Sequence, residues 1–460
     1  MNEPSQQLFD RIETAVDAEF PGMLRDLAEL VSIPSVSSDP TKAAELERAA
    51  LLVEAYFSSL GFNASIEVAA GEDGVEGSPA VIARGPKYEG APTVLLYAHY
   101  DVQPAPHTPG WVSPPFEMEV RGDRIFGRGT SDDGAGVIVH LGALRALQAL
   151  PNQTPLNVIV FIEGEEEIGS PTFGPFLDKF HDRLAADVII VADSSNWTVD
   201  VPAITSTLRG VVSVDVTVKV ADHAVHSGMF GGPLLDALTV ASRLIATLHD
   251  EAGDVAVPGL TSSEEAEVDW DEETYRADAS VLEGVELAGT GDLAARVWSK
   301  PAIGVIGIDA PAVNESANAI IPEATFRLSM RVPPSQKVED AAEALAAHLT
   351  ASAPFGATVE VAVQEMGPAY TADLDHKVVK DYREALSKAW GVDAVAIGQG
   401  ASIPFIAKFE EAFPEAIIIV TGIEDPATKA HGENESQSVK ILKNATVAEA
   451  LFLAGLAEIV

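Results

Sequence analysis

Apolar residues recur at helical spacing over residues 8–31 and again over 41–60, with Pro34 and the Ser-Ser-Asp-Pro run ending at Pro40 between the two stretches. Two opening helices follow from that. Farther along, the texture changes to short, nearly all-apolar runs at 93–98 (TVLLYA), 156–162 (LNVIVFI), 188–192 (VIIVA) and 416–420 (AIIIV). Runs of this length, rich in β-branched residues, read as strands buried on both faces, which a helix-covered parallel sheet requires. Helical patterns at 135–150 and 171–184 separate the first three, so the order is βαβαβ, an α/β sheet with right-handed crossovers.

From about residue 207 the pattern is different. Residues 211–220 (VVSVDVTVKV) alternate apolar and polar, as a strand with one wet face does, and 234–249 form an amphipathic helical pattern. After an acidic stretch at 250–286 come strand patterns at 303–308 and 324–332, a helix at 338–349 and a strand at 358–363. This is the order of an α+β layer domain inserted into the first. The α/β pattern resumes near His376 with a helix to Trp390, the strand at 416 and a final helix over 439–459. The expected division is a mostly parallel α/β domain over 1–206 and 370–460, and an inserted α+β domain over 207–369.

Composition narrows the function classes. The 460 residues hold 29 Lys plus Arg against 70 Asp plus Glu, a net charge of −41, which leaves no basic footprint for nucleic acid or an anionic membrane. Such a surface suits solubility at high salt. No Cys is present, which excludes a disulfide scaffold, a thiolate metal site and a cysteine nucleophile. The amino-terminal residues show no basic segment followed by an apolar stretch, and no run long enough to span a bilayer occurs, so a soluble cytoplasmic protein is expected.

The candidate chemistry lies where the apolar runs end. The first stops at Tyr97-Ala98-His99-Tyr100-Asp101, the second at Glu163-Gly164-Glu165-Glu166-Glu167, the third at Asp193, and the fourth runs on through Thr421-Gly422 toward His431. Ligands bind outside the carboxyl ends of strands in open α/β sheets, so these clusters are expected to converge on one crevice. Imidazole and carboxylate without thiolate suit Zn, Mn or Co, and a carboxylate-rich set of five ligands suits two ions sharing one bridge. The turn Gly127-Arg128-Gly129-Thr130-Ser131-Asp132-Asp133-Gly134 groups two more acids before a helix, where burial would call for a cation.

Taken in order, YAHYD (97–101), GRGTSDDG (127–134), EGEEEIGS (163–170), VADS (191–194), AVHSGMFGG (224–232) and AHGENE (430–435) resemble the dinuclear metallopeptidases of the M20 type. Within that group the likeness is to the cytosolic nonspecific dipeptidase and carnosinase branch. The resemblance implies that His99 and Asp193 hold one metal, Glu167 and His431 the other, and Asp132 bridges both. Zinc is the expected metal, with Mn or Co as alternatives. Glu166 falls on the general-base position, taking a proton from a water between the ions and returning it to the leaving amine. Asp101 falls on the position that orients His99, and the Asp132–Asp133 peptide is expected to be cis.

The resemblance also makes the inserted domain a lid and a homodimer interface. His226 falls on the position that polarises the scissile carbonyl from the neighbouring subunit, Arg331 on the grip for the substrate's terminal carboxylate, and Asn318 on a polar contact nearby. Two departures stand out. Gly134 and Ala135 follow the Asp pair where relatives often have Lys and Gly, and GQGASIP (398–404) replaces an Arg-Glu-Gly-Gly-Ser-Ile-Pro pattern. Gly398 and Gln399 thereby remove one charge of each sign, whereas Ser402 remains as a carboxylate contact. The implied activity is hydrolysis of dipeptides with a free C-terminal carboxylate. An N-acyl-amino-acid amidohydrolase uses the same chemistry, and a catalytically silent metal-binding protein is the remote alternative.

Overall fold

The computed structural model describes residues 3–71, 73–105, 110–150, 155–400 and 403–456. Ser402 therefore lies outside the described residues. Two helices open the chain, α1 (Glu3–Val31) and α2 (Ala43–Ser59), followed by β1 (Asn63–Glu67), β2 (Ala80–Arg84) and β3 (Thr93–His99). A short pair, β4 (Glu119–Arg121) and β5 (Arg124–Phe126), precedes α3 (Gly134–Gln148). Then come β6 (Asn157–Glu163), α4 (Phe173–Leu184), β7 (Val188–Ser195) and β8 (Ala203–Leu208).

The middle of the chain supplies β9 (Gly210–Lys219), β10 (Val225–His226), α5 (Ser227–Phe230), α6 (Ala237–Ile245), α7 (Glu272–Asp278) and α8 (Leu293–Trp298). It continues with β11 (Ala302–Ile308), β12 (Ala319–Ile320), β13 (Glu323–Val332), α9 (Val338–Ala351), β14 (Thr358–Gly367) and β15 (Tyr370–Thr371). The last part holds α10 (Lys377–Trp390), β16 (Val395–Gln399), α11 (Pro404–Ala412), β17 (Ile417–Glu424), β18 (Ser436–Ser438) and α12 (Val439–Leu456). The chain divides into two compact units, one of residues 1–206, 372–396 and 408–460, the other of 207–371 and 397–407. Residues 397–407, grouped with the first domain by the sequence pattern, cluster with the second unit because Arg209 reaches them: its backbone N–H donates to Gln399 O and its Nε to Gly400 O.

The first unit is built on a mixed sheet with the order β1-β2-β6-β3-β7-β17-β8. β6, β3, β7 and β17 run parallel, while β1, β2 and β8 run antiparallel to their neighbours. The parallel strands alternate strictly. Val94, Leu96 and Ala98 of β3, Val160 and Ile162 of β6, and Val188, Ile190 and Ala192 of β7 join the large core formed with α1, α3, α10 and α12. The opposite face carries Tyr97 and Phe161, which meet Phe173 of α4 and Phe409 of α11 edge to face or tilted. Period-two alternation then puts His99, Glu163 and Asp193 on this second face, at the strands' carboxyl ends.

The second unit has a four-stranded antiparallel sheet, β11-β13-β9-β14, with α6 and α9 packed on one face around Val212, Val214, Phe326, Leu328 and Leu345. The helix expected over 234–249 is shorter: Asp236 caps the first turn of α6 through Thr239 N, and a 3₁₀ turn takes over at Ala246–Leu248. Among the described residues no helix is long and apolar enough to cross a membrane.

Candidate metal centre

Strand β3 ends by delivering His99 into a fully buried position. Its Nδ1 donates to the carbonyl oxygen of Asp101 at 3.0 Å, while the Asp101 carboxylate is farther, at 3.5 Å. Asp101 thus lies against the ring through both its backbone oxygen, the closer contact, and its carboxylate. The carboxylate is also used elsewhere: Oδ1 accepts from Glu166 N and Oδ2 from Glu167 N, each at 3.1 Å, so Asp101 ties the end of β3 to the turn after β6. That turn is a 3₁₀ segment, Glu166–Ile168, closed by left-handed Gly169.

Nε2 of His99 is buried without a hydrogen-bond partner. Burial would lower the ring's pKa, but Asp101, Asp132 and the other acids hold it well above its ordinary value. Once neutral with its proton on Nδ1, the ring presents a lone pair at Nε2. It faces Asp132 Oδ1 at 3.2 Å, and Asp193 Oδ2 and Glu166 Oε2 at 4.0 Å each. The other oxygen of Asp132 lies 3.0 Å from Nε2 of His431, which is also 3.1 Å from Glu167 Oε2. One carboxylate therefore addresses two imidazoles. Donor atoms of Asp132, Glu167 and His431 all lie within 4.8 Å of one another, as do those of His99, Asp133 and Asp193. The Asp132–Asp133 peptide is cis. Asp133 is already engaged, accepting from His99 N at 3.1 Å and from Gly136 N at 3.1 Å as the cap of α3.

The electrostatics are those of a site short of positive charge. Burial, and then the neighbouring Asp193, Asp101 and Asp132 against the opposing pull of His99, raise Glu166 to about 9. Burial and Asp132 raise Asp193 to about 6. Hydrogen bonds to Asp132 and Glu167 hold His431 up at about 10. Burial would push Asp132 up, but the two imidazoles overcome it and hold the carboxyl below its usual range. Crowded acids, a buried ring nitrogen without a partner and an oxygen–nitrogen donor set fit divalent cations.

The predicted residues outside this cluster lie in the second unit. His226 is exposed in β10, and its Nδ1 accepts from Gly228 N at 3.1 Å, capping α5. Asn318 is its near neighbour: β10 pairs with β12 through His226↔Ala319, and Asn318 O accepts from Ser227 N. Arg331 sits in β13 opposite Val211, and forms no ion pair among the described residues. Burial and Arg331 push the neighbouring Arg209 down to about 10.

Three further residues carry the cluster without having been singled out in the sequence. Gln103 donates to Glu167, from its backbone N at 3.0 Å and its Nε2 at 2.7 Å. Arg128 and Glu435 join the turn before α3 to the segment after β17. Both belong to quoted motifs, and an Arg and a Glu inside buried, glycine-rich motifs were the available signal.

Residues 95–454 match the sequence model of Peptidase family M20/M25/M40. A cysteinylglycine-S-conjugate dipeptidase of Corynebacterium striatum is 35% identical over 94% of this chain and 94% of its own length. The human Beta-Ala-His dipeptidase is 26% identical over 75% of this chain and 70% of its length. Among solved structures, the di-peptidase Dug1p of Saccharomyces cerevisiae aligns over 98% of both chains with a TM-score of 0.75 at 20% identity. Human carnosine dipeptidase 1 also reaches 0.75, at 24% identity, over 98% of this chain and 99% of that one. A family match over most of the chain, on a sheet whose strand ends gather the acids and histidines its motifs carry, leaves one conclusion: the chain belongs to peptidase family M20/M25/M40.

Proposed function

We propose that the chain is a cytoplasmic, homodimeric, zinc-dependent dipeptidase acting on dipeptides with a free C-terminal carboxylate. The observation that carries this reading is Asp132, whose two oxygens lie 3.2 and 3.0 Å from the imidazole nitrogens of His99 and His431. A carboxylate shared in this way suits two cations, one with His99 and Asp193, the other with Glu167 and His431. When bound, such ions polarise an amide carbonyl and acidify water. Glu166, its backbone N–H held by Asp101, is the proton carrier: it accepts a proton from the attacking water and returns it to the departing amine. Positive charge among these acids would draw Glu166 down from its high value and ready it to accept.

His226 is suited to donation. Because Nδ1 accepts from Gly228 N, the proton of the neutral ring is on Nε2, which can hydrogen-bond a developing oxyanion. Among the described residues Arg331 has no ion-pair partner, and Arg209 adds a second positive charge beside it, which supports capture of a substrate carboxylate by Arg331 with Asn318 and Ser402. Dimerisation is supported by β11, an edge strand whose Val305, Ile306 and Ile308 are 43%, 63% and 49% exposed. The peptide-bond specificity is supported by the dipeptidase activities named for the bacterial, fungal and mammalian relatives. The test is a panel of unblocked dipeptides and N-acetyl amino acids, with and without chelator. Chelator-sensitive cleavage of the dipeptides is expected, and preference for the N-acetyl compounds would overturn the substrate reading.

A further inference from the structure

Two loops meet at the cluster: residues 127–133, which carry Asp132, and residues 425–435, which carry His431. Glu435 is fully buried, and its carboxylate is devoted to the first loop. Oε1 accepts from Ser131 N at 3.0 Å and from Asp132 N at 3.2 Å, while Oε2 accepts from Gly129 N at 3.0 Å and from Arg128 Nη1 at 2.7 Å. Arg128, 2% exposed, returns the contact. Its Nη2 donates to His431 O at 3.1 Å and to Gly432 O at 3.2 Å. Each partner of this ion pair thus holds the backbone of the ligand on the other loop. His431 itself has φ 61°, in the left-handed region that non-glycine residues adopt uncommonly.

Just before the first of these loops, Arg124 of β5 also ties to the second, donating to Asp425 at 2.9 and 3.0 Å and to Ser436 Oγ in β18 at 2.8 Å. That pair reaches neither ligand. Attachment of the segments therefore has a device of its own, and burying a second ion pair is a poor way to gain stability. We propose that Arg128 and Glu435 are positioning residues that fix Asp132 and His431 at ligand separation and so set the affinity of the cation position made by Asp132, Glu167 and His431. The proposal rests on the two-ion reading above.

The test is zinc binding by equilibrium dialysis with metal analysis, on wild type, Glu435→Gln, the double variant Arg128→Met/Glu435→Gln, and Arg124→Met, with folding followed by circular dichroism. Wild type should take up two equivalents. Glu435→Gln should keep one tight equivalent and bind the other about 10- to 100-fold more weakly, with kcat reduced and KM little changed. The double variant leaves no lone buried charge, and should show the same selective loss if the single variant does not fold. Arg124→Met should bind both equivalents as wild type does. Two wild-type affinities in a folded variant, equal weakening of both equivalents, the same loss in Arg124→Met, or failure of both variants to fold would each overturn the proposal. A wild type that takes up no zinc would instead overturn the two-ion reading itself.

Discussion

His140 and Glu449 meet in the helical layer beneath the sheet, both fully buried, with the imidazole Nδ1 2.9 Å from each carboxylate oxygen. The ring's other nitrogen is 3.0 Å from the carbonyl of Tyr97, two residues before His99. Burial alone would lower the imidazole's pKa, but Glu449 and the Tyr97 carbonyl outweigh it and hold His140 above its ordinary value. A folded-state pKa raised above the unfolded one gives stability that is complete below about pH 6.5 and is lost as pH rises through the folded value. His140→Gln should therefore cost about 3 to 5 kcal/mol at pH 6 and less at alkaline pH. Urea midpoints at pH 6 and 9, at fixed ion content, check this; a cost that grows with pH would contradict it.

If, as proposed, the Glu166 carboxylate moves a proton and holds no cation, Glu166→Ala should lower kcat by roughly 10²- to 10⁴-fold while leaving two ions bound. Metal content measured beside turnover decides it. Loss of an ion in step with activity would make Glu166 a ligand.

Arg331→Ala should raise KM strongly for dipeptides with a free carboxylate and much less for the corresponding amides. Paired kinetics on a dipeptide and its amide test the assignment, and equal effects would remove Arg331 from carboxylate recognition.

Cation uptake should release protons. Asp132 and Glu167 hold His431 up at about 10, so its ring is charged at neutral pH and must become neutral to serve as a ligand. Affinity should rise with pH toward that value. Calorimetry in two buffers of different ionisation enthalpy counts the released protons, and an affinity that falls with rising pH would reverse the assignment.

Mixing Glu166→Ala with His226→Ala protein under conditions of subunit exchange should restore about a quarter of wild-type activity, since about half the dimers are mixed and each has one intact site of two. Exchange confirmed by mass with no recovery would place His226 in its own chain's chemistry, or outside it.

How much of this was legible depended on whether a residue acts through its type or through its neighbours' backbone. The parallel strands were readable because burial on both faces demands unbroken apolar runs such as TVLLYA, and their ends located His99, Glu167 and Asp193. The outer strand β1, Asn-Ala-Ser-Ile-Glu, is half-exposed at the sheet's edge and carries no such run, so it went unread. Glu435 was visible as a letter in AHGENE, but its partners are the N–H groups of Gly129, Ser131 and Asp132, which no side-chain spacing reports. For the same reason the sequence shows Asp101 only as a neighbour of the His99 imidazole, 3.5 Å from Nδ1, and not as the carboxylate that also accepts from the Glu166 and Glu167 N–H groups.

Strand β17 fills the place between β7 and β8, although both precede it and the whole inserted unit separates it from them in sequence. While the chain is being synthesised, the sheet is open at that place until residues beyond 424 have emerged, and His431 follows later still. A stalled or truncated polypeptide carries His99, Asp132, Glu167 and Asp193 but lacks His431, and so on the proposed reading could not complete the second cation position. On that reading, retention of two ions would be a chemical signature of a finished molecule, one that a stepwise series of carboxyl-terminal truncations can read directly.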